Sequence, residues 1–311
     1  MTAPPPDPVR HARDTPGLRR ALEQACTAWN VSTSGARLIH RYSNAVYHLP
    51  AAGTVARVTT GSFARAQLAH DLIAWLIQHH GVAATAPVSD APPVRAEDGS
   101  VVSFWTYYPQ PVGQPAPTSV HLAGVLRRLH GVDTVPFELE PWQPLTALSA
   151  ALADPSATSN LTTDEYQWLT GYVADVRAQV LALDSALGYG LIHGDAWAGN
   201  LLWHTAAGPD EVVIGDWDWT SSGPREVDLI PTWHAAIRYG RGYQWATDFA
   251  AVYGYDLAQW DGFPVLFAMR DLVQLTGPLR RAGDRPEFAA VLRERLEAIR
   301  KRDFQAVWRV L

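Results

Sequence analysis

The chain has 311 residues, of which 47% are hydrophobic and 18% charged, with a formal net charge of −6. That length suits two compact units better than one core, and the acidic balance excludes a nucleic-acid partner or a polybasic membrane contact. One cysteine, Cys26, excludes an internal disulfide and fits a reducing compartment. The amino terminus, Met1-Thr-Ala-Pro-Pro-Pro-Asp-Pro8, carries no apolar signal region, and no apolar run approaches the ~18 residues of a membrane span, so a cytoplasmic protein is expected.

Residues 1–17 are proline-rich and polar and read as a flexible tail. Leu18, Leu22, Cys26 and Trp29 then repeat at helical spacing. Ala36–His40 leads into a strand at Ala45–Leu49, Pro50–Gly53 turns, and Thr54–Val58 returns. A helix over 63–80 buries Leu68, Leu72, Trp75 and Leu76, and 101–108 reads as a strand. The proline-rich connector Pro109–Pro117 follows, so 18–108 and 109–311 are expected to be separate lobes. Beyond it lie a helix over Val120–His130 ended by Gly131 and a long helix over 163–187, capped by Thr162 or Thr163. After residue 229 the chain reads as helical, punctuated at Pro231, Gly240, Gly254, Pro264 and Pro278.

Between these helical stretches, two short apolar strands frame polar residues that a core would not select. Leu191-Ile-His-Gly-Asp195-Ala-Trp-Ala-Gly-Asn200-Leu-Leu-Trp203 is followed by Val212-Val-Ile-Gly-Asp216-Trp-Asp218-Trp219. The grouping offers a carboxylate to accept a proton, with an amide oxygen and a second carboxylate to hold Mg²⁺. Those are the parts that phosphoryl transfer from ATP needs.

His193-Gly194-Asp195, Asn200, Asp216-Trp217-Asp218 and the downstream Gly223, Asp228 and Leu229 resemble the aminoglycoside phosphotransferase and small-molecule kinase family. The resemblance implies an α+β, bilobal protein-kinase-like fold, with a small sheet-rich amino lobe acting as the nucleotide-binding domain. A larger helical carboxy lobe would carry catalysis and substrate. It implies that Asp195 accepts the proton of a substrate hydroxyl and that Asn200 and Asp216 ligate Mg²⁺. Arg57 stands where kinases place the phosphate-gripping Lys, with Gln67 and Asp71 as candidate partners. Backbone N–H groups around Ser43 and Asn44 are candidates to cap phosphates, and Ser103–Tyr108, including Tyr107, is the candidate adenine-side hinge. Backbone recognition there leaves ATP and GTP both open as donors.

His193 is read as holding the loop's shape. Asp228 is read as tying down the loop after the metal residues. Asp218 would touch a second Mg²⁺, bind substrate or brace the loop. Gly194, where protein kinases carry Arg, points away from protein substrates. Trp233 and Tyr239 are candidate substrate-wall residues, with His234, Arg238, Tyr243 and Trp245 beside them. Arg238 and Arg241 count against a uniformly acidic pocket. The expected activity is ATP- and Mg²⁺-dependent transfer of a γ-phosphate to a hydroxyl of a small molecule, an aminoglycoside, amino sugar or related alcohol. A catalytically silent kinase-like protein that binds nucleotide or a metabolite is the alternative. No membrane or nucleic-acid partner is expected, and no motif sets an oligomeric state.

Overall fold

The computed structural model describes residues 14–41 and 44–310. The chain divides into two compact units, one of residues 1–115, 135–137 and 201–218, the other of 116–134, 138–200 and 219–311.

The first unit is built on a five-stranded antiparallel sheet of β1 (Arg37–Arg41), β2 (Ala45–Leu49), β3 (Thr54–Thr59), β4 (Val94–Arg95) and β5 (Val101–Thr106), in the order β1-β2-β3-β5-β4. Val101 to Trp105 of β5 are all buried, as a strand covered on both faces requires. Helix α1 (Pro16–Ala28) lays Ala21, Leu22, Ala25 and Cys26 against Tyr47, Leu49, Ala56 and Phe104. Helix α2 (Phe63–His80) contributes a second buried stripe, Leu72, Ile73 and Leu76, and ends at Gly81 with φ +57°. Pro16 opens α1 in its first turn, where a missing N–H costs nothing, so the helix starts inside the stretch expected to be a tail.

The hairpin of Leu201–Trp203 with Val212–Ile214 also belongs to this unit, so the division does not fall at a single connector. Ile214 donates to the Ala83 carbonyl and accepts from Thr85 N–H, both at 2.9 Å. The Gln110 amide brackets Trp203, accepting from its N–H at 3.0 Å and donating to its carbonyl at 3.3 Å.

The second unit is mainly helical: α3 (Ser119–His130), α4 (Thr146–Leu152), α5 (Pro155–Thr158), α6 (Thr163–Leu181), α7 (Glu226–Arg238), α8 (Tyr243–Tyr253), α9 (Phe263–Val273), α10 (Thr276–Arg281) and α11 (Pro286–Arg300). A two-stranded antiparallel ribbon, Tyr189–Ile192 with Ser221–Pro224, crosses it. Thr162 caps α6 through a reciprocal box with Glu165, and the helix stops at Leu181 rather than running to 187. Pro231 lies inside α7 instead of ending a segment. Val227 to His234 are buried without interruption, so packing on every side outweighs the lost N–H. No helix among the described residues is long and apolar enough to cross a membrane.

Candidate active site

In the first unit the strand Val212–Ile214 delivers Asp216 into a left-handed backbone conformation, φ +63°. Aspartate tolerates that region better than most residues, and strained positions of this kind gather at functional sites. Trp217 is buried and donates its indole N–H to the Ile214 carbonyl at 3.0 Å, which pins the turn. Asp218 follows in a short 3₁₀ turn, Trp217–Trp219. Arg57 bonds both acids.

Arg57, on β3 opposite Val46 and Ser103, donates Nη1 to Asp218 Oδ1 at 2.6 Å and Nη2 to Asp216 Oδ1 at 3.2 Å. A further Nη2 bond to Asp218 Oδ2 completes a bidentate fork. Asn44 donates its amide to the same Asp218 oxygen at 3.2 Å. Gln67 and Asp71 instead bond each other, at 2.9 and 3.0 Å, and Asp71 also meets His70. The acidic partners of Arg57 are thus Asp218 and Asp216, 161 and 159 residues distant in sequence. Ser43 lies outside the described residues. Tyr107 donates its backbone N–H to Gly53 at 3.2 Å and stacks its ring on His48 at 3.9 Å.

In the second unit the Tyr189–Ile192 strand leads into His193-Gly194-Asp195. Asp228, in the first turn of α7, is fully buried and holds the start of this loop. Its carboxylate accepts from His193 N–H at 2.7 Å, Gly194 N–H at 2.8 Å and His130 Nε2 at 3.0 Å. Burial opposes the Asp228 charge, but the bonds and charge of His130 and the His193 N–H outweigh it and hold the carboxyl below its usual range. His130 Nδ1 also pairs with the Tyr253 hydroxyl, at 2.7 Å. Asp228 ties down the segment before Asp195, a role that a reading centred on Asp216 places elsewhere in the chain.

Gly194 has φ +84°, and a Cβ there would sit 2.3 Å from the Trp219 carbonyl oxygen. Gly194→Ala is expected to lose about 1–3 kcal/mol from backbone strain alone, read by urea denaturation. Gly171→Ala, on an exposed face of α6 with open space around its Cβ, is the control and is expected to hold or gain stability.

Asp195 is part-exposed, and its Oδ1 accepts from Arg270 Nη1 at 2.9 Å. Its backbone carbonyl accepts from the Asn200 side-chain Nδ2 at 3.0 Å. His193 is fully buried, and its Nδ1 accepts from Asp195 N–H at 3.4 Å. Trp233 is 4% exposed and packs edge-on against Phe263. Tyr239 donates to Gln274 at 2.9 Å and lies beneath Arg295. Arg238 is buried and engaged by Asp271, so it does not set the charge of an open pocket. Arg270 carries no signal in the sequence, since it stands 75 residues from Asp195 within an ordinary apolar helix.

Solved structures with this fold cover nearly the whole chain. An amicoumacin kinase in complex with AMP-PNP, Ca²⁺ and Ami aligns with TM-score 0.71 at 16% identity, covering 94% of this chain and 95% of its own. A microcompartment-associated aminopropanol kinase gives 0.67 at 19%, covering 91% and 98%. The spectinomycin phosphotransferase APH(9)-Ia, in complex with ADP and spectinomycin, gives 0.60 at 15%, covering 86% and 93%. No curated protein sequence matches significantly. These similarities show a protein-kinase-like fold. The profile of the phosphotransferase enzyme family (APH) matches residues 35–263, and the chain belongs to that family.

Proposed function

We propose that this protein transfers the γ-phosphate of ATP, with Mg²⁺, to a hydroxyl of a small molecule such as an aminoglycoside, an amino sugar or a related alcohol. The observation that carries this reading is the built loop from His193 to Asn200. Asp228 holds its start, the Asp195 carboxylate is part-exposed, and the Asn200 amide nitrogen is engaged by the Asp195 carbonyl. Asn200 Oδ1 then has no hydrogen-bond partner among the described residues and is suited to a hard cation. A few oxygen donors, completed by phosphates and water, are what Mg²⁺ prefers. The described residues contain no group of three or more His, Cys, Asp or Glu that could hold a metal, which is compatible with a sparse set of this kind.

In this reading Asn200 and Asp216 would hold Mg²⁺, which when bound neutralises charge on the phosphate oxygens. Asp195 accepts the acceptor hydroxyl's proton. The hydroxyl oxygen forms a bond to the γ-phosphorus, the bond from that phosphorus to the bridging oxygen breaks, and ADP leaves. Arg57 exchanges its fork on Asp218 for phosphate oxygens, a geometry guanidinium suits. Ser43 and Asn44 cap phosphates, Tyr107 lies on the adenine side, and Asp218 takes part in holding the acceptor or a second cation. Trp233 and Tyr239 support the acceptor wall from behind, since Trp233 is buried and the Tyr239 hydroxyl is bonded to Gln274.

One observation favours the catalytically silent alternative. Arg57 already bonds the Asp216 carboxylate that would serve the cation.

Coupled detection of the nucleoside diphosphate released, ADP from ATP or GDP from GTP, with Mg²⁺ and a set of hydroxyl-bearing amines, separates the readings. The panel starts from the compounds that the neighbouring kinases are named for: amicoumacin, aminopropanol and spectinomycin. Aminoglycosides, amino sugars and choline-like amines complete it. Acceptor-dependent turnover that disappears in Asp216→Ala is expected. Tight Mg·ATP binding with silence across the panel would favour the binding protein.

A further inference from the structure

Asp195 has a partner within its own unit that no motif residue supplies. The loop between Asp195 and Asn200 reads Ala196-Trp197-Ala198-Gly199, so it brings no positive charge to the carboxylate. Arg270, in the second half of α9, brings it instead, with Nη1 2.9 Å from Asp195 Oδ1. Its side chain is 13% exposed, and Nε is buried without a hydrogen-bond partner. The guanidinium is therefore held largely out of water by a single carboxylate.

The aim of that side chain is set by its neighbour. Successive helical residues point roughly 100° apart. Asp271 turns into the core, where it accepts from Arg238 Nε at 2.9 Å, from Arg238 Nη2 at 2.7 Å and from His234 Nε2 at 3.0 Å. Burial pushes His234 down to about 4, so at neutral pH Arg238 alone balances the Asp271 charge. The buried Asp271–Arg238 fork locks α9 against α7, and the rotation it fixes carries Arg270 to Asp195.

We propose that Arg270 is the positioning residue for Asp195, resting on the reading of Asp195 as the proton acceptor. By tying Oδ1, the guanidinium fixes the carboxylate plane and leaves Oδ2 to meet the acceptor hydroxyl. With Arg270 largely buried and Asp195 part-exposed, the ion pair adds modest stability, and its main effect falls on orientation. A displacement of about 1 Å at a reacting group can cost ~10²-fold in rate.

The test compares Arg270→Gln, Arg270→Lys and Arg270→Ala with the wild type, using whichever panel acceptor turns over. Arg270→Gln is expected to lower kcat by about 10- to 100-fold with little change in KM for ATP or acceptor. The Lys variant should recover part of the loss, and added guanidinium ion should raise the turnover of Arg270→Ala. An unchanged kcat in Arg270→Gln overturns the proposal. So does a raised acceptor KM at unchanged kcat, which would make Arg270 a ligand for an anionic group on the acceptor.

Failure of the underlying reading shows separately, as undiminished turnover in Asp195→Asn. If no acceptor turns over, a urea-denaturation cycle of Arg270→Gln and Asp195→Ala still reads the pair. Non-additive losses support it, and additive ones contradict it.

Discussion

Asp195→Asn is expected to lower kcat by about 10²- to 10⁴-fold, the usual contribution of a positioned general base. The amide is isosteric, so its oxygen can keep the bond from Arg270 Nη1, and the Asn200 bond goes to the backbone carbonyl, which the substitution leaves in place. What disappears is the capacity to take a proton from the acceptor hydroxyl. Mg·ATP affinity, measured by calorimetry with the variant, should match the wild type. Loss of affinity together with turnover would assign Asp195 to nucleotide or metal binding instead.

The second large effect falls on stability. Asp228 gathers three donors into a site with no exposure to water, namely the N–H groups of His193 and Gly194 and the His130 ring. Asp228→Ala leaves all three without a carboxylate and should destabilise the protein by about 3–5 kcal/mol, the range for breaking a buried charged pair. Urea denaturation at neutral pH measures it, and a loss no larger than that of an exposed residue would contradict the account.

The pH dependence carries the same signature. The folded Asp228 carboxyl lies below its ordinary value of 3.8, so its contribution is fully present above that value. It is lost as pH falls through the lower folded value, because the unfolded chain binds the proton first. Asp228→Asn should therefore flatten part of the acid slope of stability that the wild type shows. Turnover should fall as well, since this clamp sets where the Asp195 loop begins.

The local part of the candidate site was legible in the chain, because its residues fall in one loop and one turn. His193, Asp195 and Asn200 lie within eight consecutive positions, and Asp216 and Asp218 follow a short strand. The sheet of the first unit was readable from alternation at β2 and β3, and Thr162 from its capping box with Glu165. Pairings that close across long stretches were not legible. Arg57 meets Asp218 rather than its expected partner on α2, and Arg270 reaches Asp195 from a helix whose local pattern is purely one of packing. Contacts of that kind are set by how elements dock, and no periodicity records it.

The same reason explains Pro231 inside α7 and the burial of Trp233 and Arg238. Each looks local in sequence, but the surrounding helices decide its environment. Short elements such as β4, α4 and α5 escaped because two to seven residues hold too little of a repeat to be recognised.

Following phosphorus rather than ADP reads phosphorylation of the acceptor hydroxyl itself. Phosphorus NMR of wild type with Mg·ATP and the acceptor panel should show a new phosphomonoester resonance on one acceptor. The resonance should be absent over the same time in Asp195→Asn. A phosphomonoester formed equally fast by that variant, or hydrolysis of ATP to free phosphate with every acceptor left unmodified, would contradict hydroxyl phosphorylation with Asp195 as its base.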